Sequence, residues 1–246
     1  GPDPLLTGSG ASTKALLPVA GKPMLAHVVT ALRASPHVGR ITILAQNSAE
    51  LAAEPMLAGI DGLQFGDSGQ GISSSLAAAL PDSDAPILVT TADNVLLTPS
   101  MIAEFVAGAE DSDVAVAMVE KAVLLARYPE SQRTWLKFRG GWWSGANMFR
   151  LGGRRVLPLL DFWGRIERDR KKGLKIIAAF GPWLLMGALL RLFTIEQGIA
   201  RAGLRFGLKA KVVPMAEPEA CIDADKPDDI TLIEAIFAVR HQDAIG

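Results

Sequence analysis

The stretch APILVTTADNVLLTPSMIAEFVAG, Ala85 to Gly108, sets a strand, a turn and a helix in direct succession. Its first part is a short, continuous apolar run that ends at small polar residues and Asp93, the pattern of a strand buried on both faces. Thr98 then reads as a helix cap, Pro99 as the first-turn residue and Gly108 as the stop. A lone carboxylate at the carboxyl edge of such a strand is well placed for a hard cation. Mg²⁺ takes one or two protein carboxylates and completes its octahedron with phosphate oxygens and water. Asp-Asn is equally a common turn pair, so Asp93 taken alone supports both readings.

On either side of this stretch the same alternation recurs. KALLPVAGKPMLAHVVTAL, Lys14 to Leu32, leads from a short extended run into a helix near Met24–Ala34 with Pro23 at its start. RITILAQ (Arg40–Gln46) is β-branched and strand-like, and SAELAAEPML is a helix that Pro55 interrupts. LQFGDSGQG ends a strand in a Gly-rich loop, SSSLAAAL follows as a helix with a serine at its N-cap, and DVAVAMVE is another strand. Strand and helix alternating in this way predict βαβ units on a mostly parallel sheet, an α/β fold. Such sheets bind ligands beyond the carboxyl ends of their strands.

Bulk composition narrows the function. Apolar residues make up 49% of the 246 and charged residues 21%, enough for a substantial core. A net charge of −1 gives no reason to expect a nucleic-acid partner. The single cysteine, Cys221, excludes an intrachain disulfide and a cysteine-based zinc site, and it fits a reducing, cytoplasmic setting. Three scattered histidines argue against a histidine-centred metal site or triad. A single domain over 1–246 is expected.

Three further segments carry chemistry. In CIDADKPDDI, Cys221 to Ile230, Asp223 and Asp225 alternate and so share one side of an extended segment. Two such carboxylates repel unless a cation lies between them. Asp228 and Asp229 follow Pro227 and read as helix-start residues in an electropositive first turn. In GDSGQGISSSLAAAL, Gly66 to Leu80, Gly69 and Gly71 let backbone amides approach a ligand, and Ser73, Ser74 and Ser75 add hydroxyls at a helix start. Lys14 and Lys22 could set point charges on a polyphosphate, against the plain alternative of solvated surface lysines.

In this order, the segments resemble a family. KALLPVAGKPMLAHVVTAL is similar to the "PK-x-L-x-x-v-x-GKPML" segment of nucleotidyltransferases of the GT-A (nucleotide-diphospho-sugar transferase) type. GQGISSSLAAAL, VTTADNVLLTPSMI and CIDADKPDDI resemble the "G-x-SxSL", "D-M-P" and "DIDTPEDL" segments of the MobA/MocA-like branch. WWSGANMF, Trp142 to Phe149, resembles the strand that lines the acceptor side in related transferases.

The resemblance implies a Rossmann-like, three-layer α/β/α fold with a mixed, mostly parallel central sheet, with an NTP-binding half over about 1–120 and an acceptor-binding half over about 121–246. It also implies that Asp93, with one or both of Asp223 and Asp225, holds Mg²⁺ on a triphosphate. Lys14, and less clearly Lys22, would offset phosphate charge. Gly71, Ser73 and Ser74 would meet the base, while Gly145 and Asn147 would border the acceptor. The implied reaction is attack by a phosphorylated small molecule on the α-phosphorus of an NTP with release of pyrophosphate. Such an acceptor is already anionic and needs no general base, which agrees with a chain that offers no catalytic His or Cys.

The sequence departs from the family pattern in three places. The family opens on a strand and an "LAGGxGxR" loop, where this sequence opens on GPDPLLTGSGAS; without that element the central sheet is expected to be incomplete. Thr13 stands where a proline is usual, and Asp93-Asn94-Val95 replaces Asp-Met-Pro. A GT-A glycosyltransferase is one alternative, though it would usually show an Asp-x-Asp strand end. A degenerate nucleotide-binding module is another.

One region stands apart in charge. Asp161 to Lys211 holds 11 Lys/Arg and 4 Asp/Glu, interleaved with Trp163, Phe180, Trp183 and Phe193. Its uncharged run AAFGPWLLMGALL, Ala178 to Leu190, is shorter than the roughly 20 residues a bilayer span needs. Ordinary helices with a solvated basic rim are the simpler expectation. Peripheral contact with an anionic membrane or a lipid-linked acceptor is the second.

Overall fold

The structure is a computed structural model that describes residues 5–6, 9–58, 60, 62–69, 71–167 and 191–243. Its principal sheet has five strands. β5 (Pro86–Thr90), β8 (Gly141–Gly152), β6 (Val114–Glu120) and β9 (Ala210–Pro214) lie in that order, and β7 (Leu136–Phe138) pairs with the start of β8. β8 runs antiparallel to β5, β6 and β7, and β6 is parallel to β9. Four strands therefore point one way and β8 alone is reversed, which bears out a mixed, mostly parallel sheet. A second, two-stranded parallel sheet joins β3 (Ile41–Ala45) to β4 (Leu63–Asp67) in register from Ile41↔Leu63 to Ala45↔Asp67. It shares no ladder with the first, so β3 and β5 each keep one edge unpaired among the described strands. A short ribbon, β1 (Pro18–Val19) with β2 (Lys22–Pro23), completes the strands.

Both faces of the principal sheet are covered. Along β6, Ala115, Ala117 and Val119 point into one cluster, and Val114, Val116 and Met118 into two others. This is the period of two expected of a strand between two helical layers. The first face carries α1 (Met24–Ala34), α5 (Pro99–Gly108) and the last helix α9 (Pro227–Asp243) through buried residues such as Val28, Phe105 and Ile233. The second carries α4 (Ile72–Ala79), α7 (Leu157–Glu167) and α8 (Ile195–Leu204). The shorter helices α2 (Ser48–Ala52), α3 (Pro55–Ala58) and α6 (Lys121–Arg127) lie between strands.

Local chemistry explains these boundaries. Thr98 accepts the Met101 amide as N-cap of α5, with Pro99 at the first turn. Pro55 divides α2 from α3, as its missing amide requires. The start of α4 differs from expectation. Its N-cap is Gly71 rather than a serine, and the hydroxyls of Ser74 and Ser75 donate back to the Gly71 carbonyl. Serine satisfies a nearby backbone carbonyl as readily as it caps, and the cap lies two residues before the first serine.

Of the basic, apolar region, residues 168–190 lie outside the described residues, and with them the whole uncharged run 178–190 on which the expectation of membrane contact rests. Among the described residues no helix is long and apolar enough to cross a membrane.

Candidate active site

The acidic site forms where three distant segments meet at the carboxyl edge of the principal sheet. The first supplies Lys14, on a single 3₁₀ turn (Lys14–Leu16) whose cap is Thr13, accepting the Ala15 amide. Thr13 thus does by capping what the family's proline does by restricting φ. The second supplies Asp93, three residues past the end of β5. The third is the loop Asp223–Lys226 before α9, stitched to the second by a hydrogen bond from the Ala224 amide to the Asp93 carbonyl (3.1 Å).

Lys14 joins them. Its Nζ donates to Asp93 Oδ2 at 2.9 Å and to Asp225 Oδ1 at 2.5 Å. Half-burial alone would lower the Lys14 pKa. The bonds to Asp225 and Asp93 outweigh that effect and hold the ammonium above its usual value. The other oxygen of Asp93, Oδ1, accepts the Thr91 hydroxyl at 2.5 Å.

Asp223 is held from two sides. Arg133 donates to Oδ1 and Asn147 donates its Nδ2 hydrogen to Oδ2 at 3.1 Å. Burial raises the Asp223 pKa, repulsion from Asp225 and Asp93 raises it further, and Arg133 and Asn147 pull against the rise. Asn147 reaches this position through an irregularity in β8. Val116 of β6 faces Phe149 and Met118 faces Gly145, so a bulge between them contains Asn147. Its φ is +48°, a left-handed conformation that Asn tolerates better than most residues.

One residue of the site carried no sequence signal. Arg133, in the loop between α6 and β7, has a side chain only 6% exposed and forms ion pairs with both Asp223 and Asp229. The other oxygen of Asp229 accepts the amides of Asp225 and Lys226 at 3.2 and 3.0 Å. Asp229 is thus structural, as its helix-start position implies, and it also shapes the acidic loop. Arg133 stands in the irregular stretch YPESQRTW, which has no periodicity to read.

The remaining expected residues lie apart from this cluster or at its margin. Gly145 lies two residues before Asn147 on β8, with open space where a Cβ would stand. Gly71 caps α4, and Ser74 is exposed beside it. Ser73 is buried against α7, where a Cβ on Gly164 would lie 2.9 Å from its hydroxyl. Lys22 is exposed on β2, forms no ion pair among the described residues, and is near enough to His27 to disfavour its protonated form.

A hard divalent cation takes carboxylate oxygens, and the three aspartates supply that donor type. They are close enough for Asp223 to feel the charge of the other two. Among the described residues, no group of three His, Cys, Asp or Glu side chains is arranged to hold a metal ion. Lys14 and Arg133 supply the neutralising charge instead, and the site suits a cation bound by one or two carboxylates rather than a three-carboxylate cage.

Comparison with known proteins places the chain as a whole. Over 90% of this chain and 91% of the other, the structure matches a hypothetical transferase from Thermus thermophilus at 25% identity and a TM-score of 0.76. A 2-C-methyl-D-erythritol 4-phosphate cytidylyltransferase, also from Thermus thermophilus, matches over 93% and 95% (14% identity, TM-score 0.55). CMP:2-keto-3-deoxy-manno-octonic acid synthetase complexed with CTP matches over 94% and 95% (14% identity, TM-score 0.58). At these lower identities the likeness is one of fold. A search of curated protein sequences finds no match. The family model for the MobA-like NTP transferase domain matches residues 8–189, about three quarters of the sequence, and the chain belongs to that family.

Proposed function

We propose that this protein is a Mg²⁺-dependent nucleotidyltransferase (EC 2.7.7 class) that moves NMP from an NTP to a phosphorylated small-molecule acceptor and releases pyrophosphate. The observation that carries the reading is the Lys14 ammonium bound at once to Asp93 and Asp225. It brings the family's opening segment, its strand-end aspartate and its second acidic segment to one point. Family membership supports nucleotidyl transfer in general, and the cytidylyltransferase neighbours make CTP the first NTP to try.

In the proposed reaction an acceptor phosphate oxygen forms a bond to the α-phosphorus. The bond from the α-phosphorus to the bridging oxygen breaks, and its electron pair leaves with pyrophosphate. The incoming oxygen is already anionic, so no proton has to be removed. Asp93 with Asp223 or Asp225 would hold Mg²⁺, which when bound screens the triphosphate charge. Lys14 offsets charge on the phosphates, and Asn147 and Gly145 border the acceptor. Arg133 keeps Asp223 oriented without touching the substrates. Catalysis is then positioning and charge neutralisation.

The test has two stages. The four NTPs are screened for a Mg²⁺-dependent rise in Tm, which a ligand specific to the folded state produces by mass action. Pyrophosphate release is then followed with phosphorylated acceptors for wild type and Asp93→Asn. One NTP should stabilise the protein, and the variant should keep its fold and lose Mg²⁺-dependent turnover. No response to any NTP, or near-normal turnover by Asp93→Asn, would overturn the proposal.

A further inference from the structure

A second cluster of charge stands at the start of β8. Trp142 is 37% exposed near the start of that strand. The Lys121 ammonium lies 4.2 Å from its ring centroid, and the Lys137 ammonium also lies 4.2 Å from it. Lys121 is the first residue of α6, directly after β6, and Lys137 is the cross-strand partner of Trp142 on β7. The two ammonium groups are therefore no more than about 8.4 Å apart, within the Debye length of roughly 8–10 Å over which charges still repel.

Neither lysine forms an ion pair with a carboxylate among the described residues. Glu120 is the nearest acid in sequence, but a Cβ on Gly141 would lie 3.0 Å from its Oε1 and 3.1 Å from Trp143 Nε1. Its carboxylate thus sits against Gly141 and the Trp143 indole. A ring quadrupole attracts each ammonium weakly and leaves their mutual repulsion in place. An anion that reaches both ammonium groups would relieve it.

Beside the cluster is a pocket of about 360 Å³ lined by Glu120, Lys121, Ala122, Leu125, Gly141 and Trp142. Its walls combine the apolar surface of Ala122, Leu125 and Trp142 with the Lys121 ammonium and the Glu120 carboxylate, and Lys137 reaches Trp142 from outside the lining. The apolar part suits a carbon skeleton carrying an oxyanion rather than a bare ion. Trp142 and Asn147 are five positions apart on β8, at most roughly 16 Å at about 3.3 Å per residue.

We propose that Lys121, Lys137 and Trp142 form a subsite for a phosphate-class oxyanion at the far end of an extended acceptor. The oxyanion site stands on the cluster and the pocket alone. Its assignment to the acceptor rests on the nucleotidyl-transfer reading above.

The test uses the indole ¹H–¹⁵N signals of the five tryptophans in the full chain, with the Trp142 signal identified by its loss in Trp142→Phe. Inorganic phosphate is titrated against sodium chloride at equal ionic strength. Phosphate should produce a saturable shift of the Trp142 signal that chloride does not. The double variant Lys121→Gln/Lys137→Gln should lose the shift with its Tm unchanged, and each single variant should weaken binding several-fold. No phosphate-specific shift, or one that persists in the double variant, overturns the site.

Two further arms settle its source. Phenyl phosphate should bind more tightly than inorganic phosphate. Equal affinity would make this a free-phosphate site and overturn the acceptor assignment. Stabilisation by Mg²⁺ and the NTP that raises the wild-type Tm should survive in the double variant. Its loss would fold the cluster into the nucleotide site and overturn a separate subsite. Should no NTP stabilise even the wild type, the nucleotidyl-transfer reading fails while the phosphate shift is still read independently.

Discussion

Asn147 donates its side-chain amide to Asp223 over 3.1 Å from a left-handed backbone conformation, φ +48°, at a bulge in β8. A non-glycine residue in that region is strained, and the strain is retained here at the point where β8 meets the acidic loop. Two variants separate backbone from amide. Asn147→Gly removes the hydrogen bond and relieves the backbone, whereas Asn147→Ala removes the bond and worsens the strain. Urea denaturation should find the glycine variant more stable than the alanine variant by about 1 kcal/mol. Both should lose nucleotidyl transfer to a similar degree, since both release Asp223 from its partner. Equal stabilities would show that the φ carries no cost.

Arg133 should be among the costliest polar side chains to remove. Its guanidinium is almost wholly buried and neutralises Asp223 and Asp229, the latter shaping the turn at Asp225 and Lys226. Breaking a buried ion pair from one side typically costs about 3–5 kcal/mol, because the stranded carboxylates stay desolvated. Arg133→Ala should lose stability on that scale in urea. Arg133→Lys should recover only part of it, since a single ammonium cannot reproduce the fork that spans two carboxylates. Full recovery with lysine would mean that charge alone matters.

These two residues also mark how far the sequence could be read. The β5–α5 unit was legible because an unbroken apolar run, a Thr cap, an N1 proline and a closing glycine all act locally. The alternation of strands and helices conveyed the layering for the same reason. Lys14, Asp93, Asp223 and Asp225 stood out through resemblance, and the structure brings them together. Asn147 was noticed on its strand, but the bulge that aims it depends on the register between β6 and β8, a pairing between distant segments. Arg133 depends on tertiary contact alone. The reversed β8 was hidden as well, since strand direction within a sheet leaves no trace in apolar periodicity. The helix-start error at α4 came from serine's two uses, as a cap and as a donor to the preceding turn.

Lys14→Met should separate the two roles of that lysine. The methionine keeps much of the length and apolar stem while deleting the charge that binds Asp93 and Asp225. Loss of a charge-assisted contact to a triphosphate is worth about 1.5–3 kcal/mol, or roughly 10- to 100-fold in kcat/KM. Without the internal ammonium, Asp93 and Asp225 repel and attract a free cation more strongly. Millimolar Mg²⁺ without nucleotide should therefore raise the Tm of Lys14→Met more than that of wild type. An equal response in the two proteins would show that the lysine and the metal do not share these carboxylates.

His27 sets an acid limit on stability that is separate from the site. Its Nε2 hydrogen bonds to the Val19 carbonyl at 2.8 Å, and its ring stacks obliquely on Phe237 with centroids 4.7 Å apart. Burial lowers its pKa below the ordinary histidine value of 6.5, the Val19 bond opposes that shift, and the charge on Lys22 adds to it. The folded state therefore resists a proton that the unfolded chain accepts. Above the unfolded value both states are neutral and the full stability is present. As pH falls below about 6.5 the unfolded chain protonates first, and stability declines until the folded imidazole also titrates. Urea midpoints measured from about pH 7.5 down to about pH 5 should fall for wild type. His27→Gln, with a side chain that still offers a donor to Val19 and has no proton to gain, should show a shallower decline, although other groups that titrate in this range will leave some slope. Parallel curves for the two proteins would remove His27 as the cause.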